Sequence, residues 1–139
     1  MTWFAVGSFE DDLRSFEGKT ERKMTQIGRK VALELFKRVI YKTPVDTGRA
    51  RSNWQVTIGT TASGTVEIDD KSGAATMGKA VADSRGLKAG DTIYLTNNLP
   101  YIRKLEEGWS RQAPAGMVAL TVQEFAAVVN QISVEMSKQ

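Results

Sequence analysis

Residues 43–54 read TPVDTGRARSNW and separate a helical pattern from an alternating, strand-like pattern. Pro44 disfavours helical geometry at the residue before it, so we expect the preceding helix to end there. Asp46 and Thr47 can accept hydrogen bonds from nearby backbone amides, and Gly48 can take a positive φ. The stretch therefore predicts a turn that joins a helix to a strand.

The strongest helical pattern lies upstream, from about residue 20 to residue 42. Its apolar residues recur at three- or four-residue spacing and predict a central core helix, with a contact to another subunit as the alternative. The members of this stripe are Met24, Ile27, Val31, Leu35 and Val39. Before it, residues 2–6 predict a short strand because they are aromatic and β-branched, and residues 8–18 predict a short helix.

Period-two alternation follows the turn. Residues 54–58 and 65–69 alternate apolar and polar side chains, which predicts an antiparallel hairpin. A helix is predicted at about residues 75–83, and a third core strand at residues 92–97. The middle of the chain therefore supplies most of a small sheet.

The last part of the chain predicts two helices. Residues 98–108 indicate a short helix with Pro100 in its first turn and Gly108 at its end. Pro114 is expected to start a final helix that reaches about residue 136, whose apolar seam fits packing on the sheet or a contact between subunits. The fold class expected is α+β, with a small antiparallel sheet of three to four strands packed against a long N-terminal helix and a C-terminal helix. A chain of 139 residues fits a single structural domain, residues 1–139.

Composition excludes several kinds of site. The chain has no cysteine and no histidine. This rules out disulfides, thiolate zinc sites, cysteine nucleophiles, histidine triads and imidazole ligands. The 19 Lys and Arg against 16 Asp and Glu give a net charge of only +3, which permits an anionic partner without requiring one. No apolar run approaches the roughly 20 residues of a membrane helix.

The charged residues indicate contacts rather than catalysis. The acidic side chains occur as adjacent pairs that point in different directions, so solvated surface is the expected role. These pairs are Asp11-Asp12, Asp69-Asp70 and Glu106-Glu107. The basic residues are too sparse for a sequence-specific nucleic-acid site. A basic nucleic-acid-binding module and a carboxylate–metal hydrolase are the competing hypotheses, which DNA retention and divalent-metal binding would test.

Two segments resemble a known family. Residues 43–49, TPVDTGR, resemble the TPVDTGRL signature of the tail-component family of long-tailed bacteriophages, which includes tail-completion (minor tail protein Z-like) and neck proteins. Residues 97–110, NNLPYIRKLEEGWS, resemble its second motif, and residues 112–118, QAPAGMV, the segment after it. The order of elements is also that of the family over roughly residues 8–136. Ala50 departs from it, since the family often has Leu there.

The resemblance implies a non-enzymatic structural part of the virion without catalytic residues, cofactor or metal. It implies a homo-oligomer, a hexameric ring that completes the tail and joins it to the head connector. The partners implied are other neck, connector, and tail-tube or terminator proteins, with genome DNA passing through the lumen without sequence-specific binding, and no membrane. The expected location is the head–tail junction or tail, and the host cytoplasm during assembly. A tail terminator or a stopper ring of the connector is the alternative.

Two sets of residues carry these expectations. The structural motif residues are Pro44, Asp46, Thr47, Gly48, Pro100, Tyr101, Glu107 and Gly108. The residues expected at subunit interfaces are Arg49, Arg51, Trp54, Arg103, Trp109 and Arg111. The loop at residues 70–76 and the turn at residues 59–64 are expected to reach neighbouring subunits or the lumen.

Overall fold

The structure is a computed structural model that describes residues 2–6 and 21–138. The helix expected at residues 8–18 lies outside these residues. In chain order the elements are β1 (Thr2–Val6), α1 (Glu21–Lys42), α2 (Arg49–Ser52), β2 (Gln55–Ile58), α3 (Ala74–Asp83), β3 (Ile93–Asn97), α4 (Ile102–Glu106), α5 (Val118–Gln123) and α6 (Phe125–Ser137).

The sheet has β3 at its centre. The strand order is β1-β3-β2 and both pairings are antiparallel. β1 pairs with β3 from Thr2 opposite Asn97 to Val6 opposite Ile93. Ile93 and Leu95 are fully buried, as expected for side chains two residues apart on the inner face of a strand. The central strand therefore faces the core.

The core forms around α1. The apolar stripe expected from the sequence is buried from Ile27 to Val39, together with Phe36 and Ile40, in the same cluster as Ile93 and Leu95 of β3. Met24, at its start, is partly buried and packs against this cluster. α1 also contacts α3, α5 and α6. This confirms the expected mixture of helix and small antiparallel sheet, with a long N-terminal helix and a C-terminal helix.

The hairpin predicted from residues 54–58 and 65–69 does not form, and over the residues described the sheet has three strands, not four. Residues 65–69 form no strand; both backbone groups of Val66 and the carbonyl of Ile68 bond to side chains instead of to β2. The Val66 amide donates to Asn53 Oδ1 (2.7 Å), and Asn53 Nδ2 donates to the Val66 carbonyl (2.8 Å). An alternating pattern identifies an extended segment but not the groups that pair with it.

The helix boundaries near the C-terminus also differ from the prediction. The final helix does not start at Pro114; α5 begins at Val118 and is separated from α6 at Glu124. The short helix after β3 occupies only Ile102–Glu106, so Pro100 precedes it. The start of α5 is fixed by the carboxylate of Glu106, which is part of the candidate functional site.

Candidate functional site

The first motif starts where α1 ends. The Thr43 hydroxyl donates to the Val39 carbonyl (2.7 Å) and accepts from the Trp54 indole N–H (2.8 Å). Trp54 is only 3% exposed, and Pro44 is buried. Trp54, which was expected at a subunit interface, therefore lies in the core, where it ties the start of β2 to the end of α1.

Gly48 lies against the loop that follows residue 69. Its φ is +93°, and an added Cβ would be 2.4 Å from the Lys71 nitrogen. The Gly48 carbonyl accepts a hydrogen bond from the Asp70 amide (3.2 Å). The positive φ expected from the sequence is confirmed, and the close approach of two backbones explains why no side chain fits here.

The side chains beside Gly48 have unequal roles. Thr47 Oγ1 accepts from the Arg49 amide (3.2 Å), which is the bond to a nearby backbone amide expected of it. Asp46 is exposed and makes no such bond within the part of the chain that the structure describes. Arg49 is exposed as well.

Arg51 binds within its own chain. Its guanidinium donates to the carbonyls of Tyr41 (2.9 Å), Thr43 (3.1 Å) and Lys71 (2.6 Å). Its Cζ also lies 5.7 Å from the centroid of the Tyr41 ring. The carbonyls of Tyr41 and Thr43 lie at the C-terminal end of α1, where carbonyl groups have no partner within the helix. The structure thus gives Arg51 a structural task where an interface contact was expected.

The two sequence motifs meet in space. The Gln112 side chain accepts from the Val45 amide (2.9 Å) and donates to the Val45 carbonyl (3.1 Å). Asn97 is fully buried and donates to the Ala50 carbonyl (3.0 Å). We call the contact of residues 43–54 with residues 97–112 the motif junction. Side-chain amides close it by pairing with backbone groups.

The second motif ends in a tight helix terminus. The Gly108 amide donates to the Leu105 carbonyl (3.2 Å), and the Trp109 amide donates to the Lys104 carbonyl (3.1 Å). This is the Schellman arrangement, which requires a left-handed residue, and Gly108 has φ +92°. An added Cβ at Gly108 would lie 2.3 Å from the Pro114 carbonyl oxygen. The structural role expected of Gly108 is explained by this geometry.

The acidic pair of the second motif divides its tasks. Glu106 Oε1 accepts from the amides of Met117 (3.0 Å) and Val118 (2.9 Å), and Oε2 accepts from that of Ala119 (3.0 Å). Glu106 therefore caps α5 and fixes its start. Glu107, the expected motif residue, is exposed.

A cluster of charged side chains joins α1 to the boundary between α5 and α6. Lys42 and Arg38 both form ion pairs with Glu124, and Arg38 also pairs with Glu34. The hydrogen bond from Lys42, followed by that from Arg38, lowers the pKa of Glu124 despite the opposing effect of burial. The bond to Glu124 raises the pKa of Arg38. These groups are used to hold the helices together.

Asp70 fixes the loop at residues 70–76. Burial acts to raise the pKa of this carboxyl group, but hydrogen bonds outweigh it and the pKa is lowered. The strongest of these come from Thr76, whose hydroxyl (2.6 Å) and amide (2.9 Å) both donate to Asp70 Oδ2. Asp69 stays exposed, so the second acidic pair is also divided. The expected approach of residues 70–76 to a lumen stays a prediction.

What the motif junction leaves exposed is aromatic and basic. Trp109 is 70% exposed and Tyr101 42% exposed. Lys104 Nζ lies 4.8 Å from the centroid of the Trp109 ring, a cation–π contact. Arg103 and Arg111 are exposed in the same segment. Arg49 and Tyr101 line one groove, which links this surface to the first motif.

Within residues 2–6 and 21–138, no group of three or more acidic side chains is placed to hold a metal ion. Over the same part of the chain, no helix is long and apolar enough to cross a membrane. Comparisons with protein-family models, with curated proteins and with solved structures found no match to this chain. The resemblance to the tail-component family therefore stays a prediction.

Sequence reasoning missed the residues that hold the site together. These are Asn53, Glu106, Asn97 and Gln112, each of which bonds to backbone groups distant in the chain. Amide side chains carry both donors and acceptors, so they can replace a strand partner or close a loop. The sequence signal available was their position inside or beside the two motifs.

Proposed function

We propose that this protein is a non-enzymatic structural protein of a long-tailed bacteriophage. It forms a homo-oligomeric ring, hexameric by resemblance, at the neck or the head-proximal end of the tail. The ring completes the tail and joins it to the connector, and genome DNA passes through its lumen without sequence-specific binding. Its partners are connector, neck, and tail-tube or terminator proteins of the same virion.

The observation that carries the proposal is the motif junction. Residues 43–54, which contain the first motif, and residues 97–112, which contain the second, are far apart in the chain. They are bound to each other by hydrogen bonds between Gln112 and Val45 and between Asn97 and Ala50. Their polar side chains are used in capping and in pairing with backbone, and no nucleophile or acid–base pair is assembled there. The side chains left exposed include Tyr101, Trp109 and arginines, which are types enriched at protein interfaces, together with the acidic side chains of Asp46 and Glu107.

The experiment that tests the proposal measures assembly. Native mass spectrometry and negative-stain electron microscopy of the purified full chain, over a range of concentrations, should show a closed ring. Co-expression with the products of the adjacent genes should then give a complex with a connector or tail-tube protein. The partner that co-purifies assigns the layer of the neck, and so separates tail completion from a terminator or stopper.

Three results would contradict the proposal. A chain that stays monomeric at every concentration and binds none of these proteins has no structural role of this kind. Salt-dependent retention of DNA by the isolated chain, without assembly, would favour a nucleic-acid-binding module. Specific binding of a divalent metal with hydrolytic activity would favour an enzyme.

A further inference from the structure

Resting on the proposed ring, we infer that adjacent protomers contact each other through two different patches. One is the Trp109 surface, defined as Tyr101, Lys104, Trp109 and Arg111. The other is the Ile68 edge, defined as residues 67–69. The occupant of the Trp109 surface is thus the Ile68 edge of a second copy of this chain.

The Trp109 surface presents a held aromatic ring. The Schellman turn fixes the backbone of Trp109, and Lys104 lies over its ring, so little freedom is lost when a partner covers it. A tryptophan that is 70% exposed is exceptional for so large an apolar side chain, and tryptophan is the residue most typical of interface hot spots. Two residues further along the chain, Arg111 is exposed and basic; two residues before Trp109, Glu107 is exposed and acidic.

The Ile68 edge has the complementary composition. Ile68 is 56% exposed, and its chain neighbours Glu67 and Asp69 are exposed and acidic. Hydrogen bonds hold its backbone to the rest of the chain. The Ser52 hydroxyl donates to the Ile68 carbonyl, and the Asn53 side chain bonds to both the amide and the carbonyl of Val66. These bonds hold the backbone of residues 66–68 against Ser52 and Asn53.

These patches match each other rather than themselves. An apolar centre flanked by acids meets an aromatic centre flanked by bases, which allows apolar burial and charge pairing together. A contact between two different patches is heterologous, and a heterologous contact that closes makes a ring. Basic Lys71 follows the edge, beyond buried Asp70. Residues 67–71 still carry a net negative charge, because Glu67, Asp69 and Asp70 outnumber Lys71.

Cross-linking between singly substituted copies tests the contact directly. The chain has no cysteine, so one Thr65→Cys copy and one Ser110→Cys copy, joined by a short bismaleimide, report only contacts between copies. Thr65 is exposed and precedes the edge without belonging to it. We expect a covalent dimer from this mixture. The matched control replaces Ser110→Cys with Ser133→Cys on α6 and should give no comparable product.

Complementary variants test the heterologous geometry. Trp109→Ala and Ile68→Ser each remove one patch, and each should raise the dissociation constant of assembly about tenfold or more. Mixing the two restores one intact contact per pair, so the mixture should form a one-to-one dimer but no ring. Val134→Ala removes another exposed apolar side chain, 46% exposed, and should assemble like the wild type. Circular dichroism of each variant should be unchanged.

The outcomes separate this inference from the proposed function. If the wild type assembles while both variants assemble equally well and no cross-link forms, the two-patch contact is wrong and the ring stands. If the wild type never assembles, both are wrong. If Trp109→Ala abolishes binding of a single-stranded oligonucleotide and leaves assembly intact, the Trp109 surface belongs to nucleic acid and the inference is overturned.

Discussion

Replacing Gly48 by alanine perturbs the point where two backbones approach most closely. A left-handed conformation costs an L-residue about 1–2 kcal/mol. The added Cβ would also lie 2.4 Å from the Lys71 nitrogen and 2.5 Å from the Asp70 carbonyl carbon, so the loop must move. Overpacking of this kind costs about 1–3 kcal/mol, and the bond from the Asp70 amide to Gly48 contributes about 1 kcal/mol more.

The expected loss is therefore about 3–6 kcal/mol in the free energy of unfolding. Urea denaturation followed by circular dichroism, at one fixed protein concentration, measures it. The matched control is Gly59→Ala. Gly59 has φ +89°, but nothing lies within 4 Å of the added Cβ, so only the backbone strain of about 1–2 kcal/mol remains.

The difference between the two variants isolates the close approach. If Gly48→Ala and Gly59→Ala lose the same free energy, within about 0.5 kcal/mol, then the loop after residue 69 does not lie against Gly48. A folded Gly48→Ala protein that also fails to assemble would connect this backbone contact to the proposed ring.

Three further changes have defined outcomes. Glu106→Ala should lower the free energy of unfolding by about 1–2 kcal/mol, because three amides at the start of α5 lose their acceptor. Glu106→Gln should cost less, and Glu107→Ala less than about 0.5 kcal/mol. Urea denaturation ranks the three variants, and equal losses at positions 106 and 107 would contradict the cap. Gly78→Ala in α3 should raise stability by about 0.5–1 kcal/mol, since its Cβ would meet nothing within 4 Å, and a loss would argue against this helix. The pKa of Glu124 is lowered in the folded state, so its ionised form stabilises the fold above the ordinary pKa of glutamate, and this contribution is lost as the pH falls through the folded value. The stability gap between wild type and Glu124→Gln, up to about 1 kcal/mol at neutral pH, should therefore shrink below about pH 4, and a gap that does not change with pH would contradict the ion pairs.

Periodicity predicted the elements that bury one face against the core. α1, β2, α3 and β3 were located within about two residues, because each has apolar side chains at the spacing of its own geometry. α2 was missed because a single helical turn has no repeat to detect. The segment at residues 65–69 was misassigned because Asn53, and not a strand, satisfies the backbone of Val66.

The site was only partly readable for a similar reason. Gly48 and Gly108 could be recognised because backbone conformation restricts the residue type locally. Burial of Trp54 and the bonding of Arg51 depend on contacts with the end of α1, which no local pattern encodes. Whether a tryptophan lies in a core or on a surface is a tertiary property, and Trp54 and Trp109 show both outcomes in one chain.

The position of β1 has a consequence for the order of folding. It pairs with β3 across most of the chain, from Thr2 to Asn97, and closing so long a loop is slow compared with local contacts. During synthesis β1 leaves the ribosome first but has no partner until β3 has followed it. We expect β1 to be the last strand added, onto a β2–β3 pair that is already formed. In a crowded assembly, that delay is the interval in which a first strand can pair with the β3 of a neighbouring copy instead of its own.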